Sequence, residues 1–220
     1  MSTRQRSDYI ALIPRWYSGF AHFVLIHLFS LLAIAACLYA LNDPAWWEWL
    51  LIPAFFIFAN AFEWWIHRGP MHHPTRFLKF VYQRHTVEHH FVFTHQTMGM
   101  RDSRELFYIL FPYWFLPLIL MLNFPLVVII SLIGGMNLVF LFYASGLAYY
   151  LVYEWFHLVH HIPPETRIGR MALVRLVRRH HTLHHDPALM ARGNFNVSFP
   201  LWDWILGSTL QGGASSATTS

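Results

Sequence analysis

Four long apolar segments determine what this chain can fold into. Two of them have about the 20 residues that a helix needs to cross a bilayer. The third is shorter and contains Pro112 and Pro117, so we expect a kinked helix there. The fourth exceeds the thickness of a membrane at about 1.5 Å per residue, and we expect it to bend near Gly134 and Gly135 or to project beyond the interface. The segments are residues 20–41, 46–66, 106–122 and 126 to about 161.

The composition agrees with a chain that is solvated by lipid. Apolar residues make up 56% of it and charged residues 12%, whereas soluble domains have roughly 45–50% and about 25%. The single cysteine, Cys37, lies within the first apolar segment, so no disulfide within the chain can stabilise the fold. We predict an all-α integral membrane protein with four transmembrane helices, in which residues 1–210 form one domain and residues 211–220 a disordered tail.

The positive charges are confined to three parts of the chain. All 15 Lys and Arg residues lie before the first apolar segment, between the second and the third, or after the fourth. Four crossings place these three parts on one side of the membrane, and the positive-inside rule makes that side cytoplasmic. We therefore predict that both termini are cytoplasmic. The same distribution explains the basic pI of about 9.4 without a nucleic-acid partner.

Ten of the 16 histidines form four short clusters. With four crossings, all four clusters meet on the cytoplasmic side as a histidine-rich helical cap. Neutral imidazole is the commonest metal ligand in proteins, and ten are too many for one tetrahedral zinc, so we predict two metal ions. Imidazole suits iron, copper, nickel and zinc alike, so the ligands alone do not select the metal. The predicted ligands are His67 and His72; His85, His89 and His90; His157 and His161; and His181, His184 and His185.

Two acidic residues lie close to these clusters. Glu63 precedes His67 by four residues, and Glu154 lies one helical turn before His157. A carboxylate near the membrane end of a helix is costly without a partner. We therefore expect each glutamate to orient a ligating imidazole through its second nitrogen. A direct bond from either carboxylate to a metal is the less favoured alternative.

Three pairs of adjacent histidines point in different directions if they lie on helices, so we expect one ligand and one supporting residue in each. The supporting residues are then His73, His160 and His180. His22 and His27 lie inside the first apolar segment, where we expect them to pack or to form hydrogen bonds. His95 lies in the cytoplasmic loop apart from the clusters and stays unassigned.

The four clusters, in this order, resemble the histidine boxes of the fatty acid hydroxylase superfamily, which includes sterol desaturases and oxidases, fatty acid 2-hydroxylases, alkylglycerol monooxygenase and carotenoid hydroxylases. The tail is similar to the family's closing pattern, an NFG-like start, a WD pair and a final FGT. Here Asn196 replaces the usual glycine, and Leu206 and Ser208 replace Phe and Thr. The second box has three residues between His85 and His89, where many members have two. The matching tail residues are Asn194-Phe195, Trp202-Asp203 and Leu206-Gly207-Ser208.

The resemblance, which runs from about residue 63 to 208, implies a non-haem di-iron oxygenase with four transmembrane helices and a cytoplasmic helical cap. The ten box histidines would bind two irons, which zinc could replace in purified protein, and Asn194 would support them. The implied reaction is O2-dependent hydroxylation of an unactivated C–H bond in a membrane lipid. The chain contains no cytochrome b5-like domain and no flavin or nicotinamide motif, so we expect a separate electron donor, cytochrome b5-like or ferredoxin-like with a reductase.

Other functions stay open at this point. A lipid desaturase could use the same centre, although the fourth box and the WD pair count against an acyl desaturase of the three-box membrane class. A non-enzymatic metal carrier would need a polar path through the bilayer, for which the sequence offers only Asn60, Glu63, Asn137 and Glu154. A zinc hydrolase has too many ligands and lacks the glutamate base of a zinc-protease motif.

Residues 171–179, MALVRLVRR, combine apolar and basic side chains at roughly helical spacing. Such a helix could lie in the membrane interface with its arginines toward lipid headgroups. It could equally be a solvated helix that packs on the other cytoplasmic helices. The sequence does not distinguish these two arrangements.

Overall fold

The structure is a computed structural model that describes residues 5–210. Within this range the chain is all-helical and contains no strand. The all-α fold class predicted from the long apolar segments is therefore confirmed at the level of secondary structure. The tail predicted to be disordered, residues 211–220, lies outside the described residues.

Three helices of residues 5–210 are long and apolar enough to cross a membrane. Helix α2 begins where the Ser18 hydroxyl accepts a hydrogen bond from the Ala21 amide, 3.2 Å away. Many apolar side chains of these helices face outward, as lipid-solvated helices require. The three are α2 (Gly19–Tyr39), α3 (Leu51–Ile66, preceded by a 3-10 turn at Glu48–Leu50) and α8 (Phe124–His160).

Helix α8 is interrupted at Gly135, which has φ 79° and ψ −177°, a conformation essentially restricted to glycine. In a straight helix Val127 and Val139 would be about 18 Å apart. Here they share one buried cluster with Phe142, so the chain folds back at Gly135. The bend expected near this position is confirmed, and only residues 136–160 run the length of the bundle as one continuous helix.

The third apolar segment does not form one kinked helix, and that prediction is wrong. It forms α6 (Leu106–Ile109) and α7 (Phe115–Leu122), with extended backbone at Leu110. Pro112 causes the break, because it lacks an amide hydrogen and disfavours helical backbone before it. Pro117 lies in the first turn of α7, where amide hydrogens have no helical partner, and is tolerated. The third of the four predicted crossings is thus not confirmed as a single helix.

The remaining helices gather at the end of the bundle where α3 and α8 finish and α2 starts. They are held there by a buried apolar cluster that includes Tyr9, Phe93 and Leu110, and by an ion pair of 2.6 Å between Arg6 and Glu105. They are α1 (Arg6–Leu12), α4 (Lys79–Tyr82), α5 (His90–Val92), α9 (Ala172–His184), α10 (Leu201–Ile205), two π-helices (His67–Met71 and Gln83–His89) and a 3-10 turn (Ser103–Glu105).

Candidate metal centre

Two π-helices present the first two histidine boxes. One continues α3 from His67, and the other follows α4 and ends at His89. Their i→i+5 hydrogen bonds widen the helical turn, so residues five apart lie on one side. His67 and His72 have this spacing, as do His85 and His90. The wider turn also accommodates the extra residue of the second box.

The first group of imidazoles combines three of the four boxes. Each of its five members offers a nitrogen, and these nitrogens all lie within 4.8 Å of one another. The Nε2 atom of His85 is 2.8 Å from that of His67 and 3.0 Å from that of His90. The Nε2 atoms of His72 and His184 are 3.0 Å apart. The members are His67, His72, His85, His90 and His184.

The second group lies beside the first and combines the other box members. Four nitrogens, those of His89, His157, His161 and His181, lie within 4.8 Å of one another. His185 adjoins them, since its Nε2 is 2.9 Å from that of His181 and 3.2 Å from that of His89. All ten histidines predicted from the sequence are therefore brought together: five in the first group, four in the second, and His185 next to the second.

Two adjacent pairs divide between the groups. His89 belongs to the second group and His90 to the first, while His184 belongs to the first and His185 adjoins the second. The rings of His90 and His185 stack with centroids 4.2 Å apart and planes 18° apart. This stacked pair joins the two groups.

Hydrogen bonds to backbone carbonyls orient half of these rings. In each case Nδ1–H donates outward, so the neutral tautomer leaves the Nε2 lone pair free to face the group. The bonds measure 2.5–3.1 Å for His89, His161, His184 and His185. The accepting carbonyls are those of Phe195 for His67, Tyr108 for His89, Met98 for His161, Gly193 for His184 and Phe93 for His185.

The geometry of both groups fits metal ions. Two nitrogens that bind one ion at 2.0–2.1 Å and at right angles lie about 3.0 Å apart, and the Nε2 separations here run from 2.8 to 3.2 Å. The Nε2 atom of His161 is buried and has no hydrogen-bond partner among the described residues. An ion would give this atom the partner that burial otherwise denies it.

Burial keeps these imidazoles in the form that binds metal. All ten are less than 10% exposed. Burial lowers the pKa of His85, His90 and His184 well below the ordinary value of about 6.5, and the neighbouring histidines lower it further. The same holds for His89 and His181. Neutral imidazole is thus the stable form at neutral pH.

The three histidines predicted to support ligands lie outside both groups. His73 is exposed, and its side chain makes no hydrogen bond or ring contact with another described residue. Its predicted supporting role therefore has no structural basis. His160 donates from Nε2 to the Val197 carbonyl, 2.9 Å away, and stacks on His181. His180 lies 3.2 Å from an Asp203 carboxylate oxygen. His160 and His180 therefore tie the tail segment to the helices that carry the ligands.

The other histidines are also separate from the centre. His22 pairs with the Tyr17 hydroxyl at 2.8 Å, and His27 with the Phe23 carbonyl at 2.7 Å, in line with the expected packing role. His95 belongs to neither group. It lines a surface cavity of about 440 Å³ that also contains Met98.

Glu63 does not contact an imidazole, contrary to expectation. Its carboxylate accepts hydrogen bonds from the Tyr149 hydroxyl at 2.6 Å, from the Ser198 hydroxyl at 2.6 Å and amide at 3.0 Å, and from the Val197 amide. The segment that Glu63 holds begins at Phe195, whose carbonyl orients His67. Glu63 therefore does not orient an imidazole directly. It holds the tail segment whose Phe195 carbonyl orients His67.

Glu154 is likewise not bound to a histidine. It is fully buried in α8, and its Oε1 accepts a hydrogen bond of 3.0 Å from the Phe111 amide. Phe111 lies in the non-helical break before Pro112, where its amide has no helical partner. Glu154 thus stabilises the interrupted third segment instead of orienting a ligand. The sequence spacing placed Glu154 on the same helix face as His157, but it did not show that the Phe111 segment packs against Glu154.

The tail is fixed by buried polar side chains of the closing motif. Asp203, fully buried, accepts from the Phe195 amide at 3.0 Å and the Asn196 amide at 2.8 Å. Asn194 has φ 56° and donates from its side chain to the His180 carbonyl at 2.8 Å. These contacts position the carbonyls of Gly193 and Phe195 next to His184 and His67. Asn194 therefore lies beside the centre as a supporting residue, without touching a ligand side chain.

Thr86 and Tyr149 contribute to the site but were not predicted. The Thr86 hydroxyl donates to the Met71 carbonyl at 2.5 Å, and its oxygen lies 3.1 Å from Nδ1 of His72. It thereby orients a ligand for which no carbonyl is available. The only sequence signal for Thr86 was its position next to His85, inside a box. Tyr149 lies in α8 with no motif around it.

Buried groups of imidazoles at one end of a bundle of membrane-length helices define a class: an all-helical protein with membrane-spanning helices and a candidate centre for two metal ions. The chain belongs to the fatty acid hydroxylase family, whose sequence model matches residues 52–208. The matched region includes every histidine of the two groups. The resemblance drawn from the boxes and the closing motif is confirmed.

The fold of this chain is similar to that of a solved hydroxylase domain. The structure described as full-length Scs7p, with only the hydroxylase domain visible, aligns with a TM-score of 0.55 and 16% sequence identity, over 96% of this chain and 81% of that chain. At this identity the likeness shows the fold alone. A search among curated proteins found no sequence match.

Proposed function

We propose that this protein hydroxylates an unactivated C–H bond of a membrane lipid, a fatty acyl chain, a sterol or a related lipid, with O2 and a centre of two irons. Membership of the fatty acid hydroxylase family supports lipid hydroxylation. One observation carries the two-iron assignment: the ten buried imidazoles form two adjacent groups, one of five and one of four, and His185 adjoins the second. Five ligands exceed the four of a tetrahedral zinc site, and they leave room for a further ligand on each ion.

Bound iron would supply the activation of O2 that attack on such a C–H bond requires. The described residues have three tasks around it. The imidazoles hold the ions, the carbonyls of the loops and tail fix the ring orientations, and burial excludes water that would compete with the substrate. No carboxylate belongs to either group, so the protein ligands leave the charge of the ions uncompensated.

The proposed topology has four crossings with both termini and the metal centre in the cytoplasm. Residues 106–134 would form the third crossing in pieces, since α7 is followed by a segment that folds back against residues 139–142 at Gly135. The confinement of Lys and Arg to the three cytoplasmic parts supports this orientation. A lipid substrate then reaches the centre from the bilayer.

Electrons would come from a separate protein on the cytoplasmic side, cytochrome b5-like or ferredoxin-like with its reductase. Hydroxylation is proposed ahead of desaturation on the strength of the family match. Both reactions would need the same two irons, so the product decides between them.

The test compares His184→Ala with His73→Ala. His184 is fully buried in the first group, whereas His73 carries the same side chain on the surface. Protein purified without oxygen should contain two irons per chain in the wild type and in His73→Ala, and fewer in His184→Ala. Cells that express wild type or His73→Ala should contain a lipid heavier by 16 mass units, and cells with His184→Ala should lack it.

Iron at one ion per chain or none would contradict the proposed centre. A gain in lipid unsaturation would replace hydroxylation by desaturation. Unchanged lipids together with altered metal uptake would mean that the protein carries metal.

A further inference from the structure

Helix α9 has large apolar side chains that no part of the described chain covers. Leu173 and Leu176 are each 68% exposed, and Met171 just before the helix is 56% exposed. A soluble helix would turn such residues toward the protein. The residues of α9 that are buried against the rest of the protein are Val174, His181 and His184. The structure thus excludes the arrangement in which these leucines pack on the other cap helices.

The exposed half of α9 has an apolar flank and a basic flank. At 100° per residue, Leu173 and Leu176 lie on one side of the exposed half, and Arg175 and Arg179 lie on the other. Both arginines are exposed. No Asp or Glu occurs between residues 166 and 185. The exposed half therefore combines apolar contact area with uncompensated positive charge.

Helix α10 continues the apolar flank toward the membrane. The contact of 3.2 Å between Nε2 of His180 and a carboxylate oxygen of Asp203 connects α9 to α10. Trp202 in α10 donates from its indole to the Ile57 carbonyl at 3.1 Å, and Ile57 lies about 13 Å along the α3 axis from its end at Ile66. Trp204, which follows, is 65% exposed. Helix α10 thus packs on the membrane-length part of α3 and has apolar side chains facing outward.

We propose that α9 and α10 form a membrane-contact surface that binds anionic phospholipid. The apolar flank of α9 and Trp204 lie at the boundary between headgroups and acyl chains, while Arg175 and Arg179 bind the acidic headgroups of the same leaflet. Because the buried face of α9 carries His181 and His184, this contact also fixes the centre at a set depth beneath the bilayer surface. The proposal does not depend on the reaction that the centre performs.

The depth of α9 can be measured with spin labels on the full-length protein in phospholipid nanodiscs. In a Cys37→Ser background, a nitroxide is attached at Leu176→Cys and, as a control, at Ala188→Cys, which is exposed beyond the apolar flank. The label at 176 should be relaxed more by oxygen than by a water-soluble nickel chelate. The label at 188 should show the reverse. Equal access of the nickel chelate to both positions would overturn the membrane contact.

The lipid preference is tested with Arg175→Gln/Arg179→Gln in nanodiscs of equal phosphatidylcholine and phosphatidylglycerol. Each basic residue near an anionic surface favours binding roughly fivefold, so phosphatidylglycerol retained on the protein should fall severalfold in the double variant. Arg101→Gln/Arg192→Gln removes the same charge from exposed positions elsewhere and should retain it. Equal retention by both double variants would overturn the headgroup assignment, and binding of an acidic protein by Arg175 and Arg179 would then replace it.

Discussion

Glu63 lies near the candidate metal centre but contacts none of its histidines. Its four acceptor contacts hold Tyr149 and the backbone at residues 197–198. The same short segment of tail presents the Phe195 and Val197 carbonyls to His67 and His160. A buried carboxylate with this many donors organises a loop that would otherwise have unpaired amides. The loop in turn sets the direction of an imidazole.

Replacing Glu63 with Ala should destabilise the protein by about 2–4 kcal/mol, because buried donors lose their acceptor. Iron content should fall with it, since the Phe195 carbonyl no longer holds His67. Glu63→Gln retains an acceptor for the backbone amides and should recover most of both losses. Thermal unfolding and iron analysis of the three proteins measure this. A Glu63→Ala protein with the iron content and melting temperature of the wild type would remove Glu63 from this role.

Residue spacing predicted membership of the centre better than it predicted contacts. The rule that adjacent helical residues diverge selected His72, His161 and His181, which the structure places in the groups. It could not show that His89 and His90 serve different groups, because that depends on where α8 and α9 pack. The role of Glu63 was mistaken for a similar reason: its partners come from residues more than 80 positions later in the chain.

At the scale of elements, the break at Gly135 decides how the last long segment is used. Residues 124–134 fold back and pack against residues 139–142. The helix that continues from residue 136 contains His157, which lies in the second group. A side chain at position 135 would meet no neighbouring atom within 4 Å, so space is not the constraint there. The backbone conformation alone requires glycine.

Gly135→Ala should therefore cost about 1–3 kcal/mol through backbone strain. Gly146→Ala is the matched control in the same helix, because its new methyl would meet only Phe55 at an ordinary contact distance of 3.4 Å. It should leave stability unchanged or raise it slightly, since alanine favours helix. Melting temperatures of the two variants in detergent provide the measurement. An equal effect of both substitutions would mean that position 135 is not strained.

The elements that the sequence failed to predict are those created by tertiary context. The π-helix at Gln83–His89 has no distinctive composition, whereas the one at His67–Met71 contains Gly69 and Pro70, which disfavour a regular α-helix. At both π-helices, two histidines five positions apart contribute to the same group. The break at Pro112 was predicted as a kink, but a kink keeps one helix. Whether the chain separates into two depends on a partner for the freed amide, and here Glu154 supplies it.

For the whole molecule, the distribution of charge and of histidines makes one orientation testable. In a Cys37→Ser background, cysteines at Thr75 and Ala188 should react with a membrane-impermeant thiol reagent only from the cytoplasmic side. A cysteine at Trp46, which is 78% exposed in the turn before α3, should react only from the opposite side. Inside-out and right-side-out vesicles distinguish the two. Labelling of all three positions from one side would refute the proposed topology.

The sequence alone predicted the all-helical class, the family and the meeting of the four boxes. It predicted four membrane helices, of which three are formed with sufficient length in residues 5–210. Hydropathy measures how apolar a segment is, but it does not measure whether one helix runs through it. The split of residues 106–122 could therefore be seen only once the packing around Pro112 was known.

The dipeptides His89-His90 and His184-His185 each divide between the two groups. His90 and His184 lie in the first group, whereas His89 lies in the second and His185 adjoins it. Successive α-carbons are separated by about 3.8 Å, so each of these covalent links keeps a histidine of the first group next to one that lies in or beside the second. A displacement of the backbone at either dipeptide therefore moves one ring of each group together.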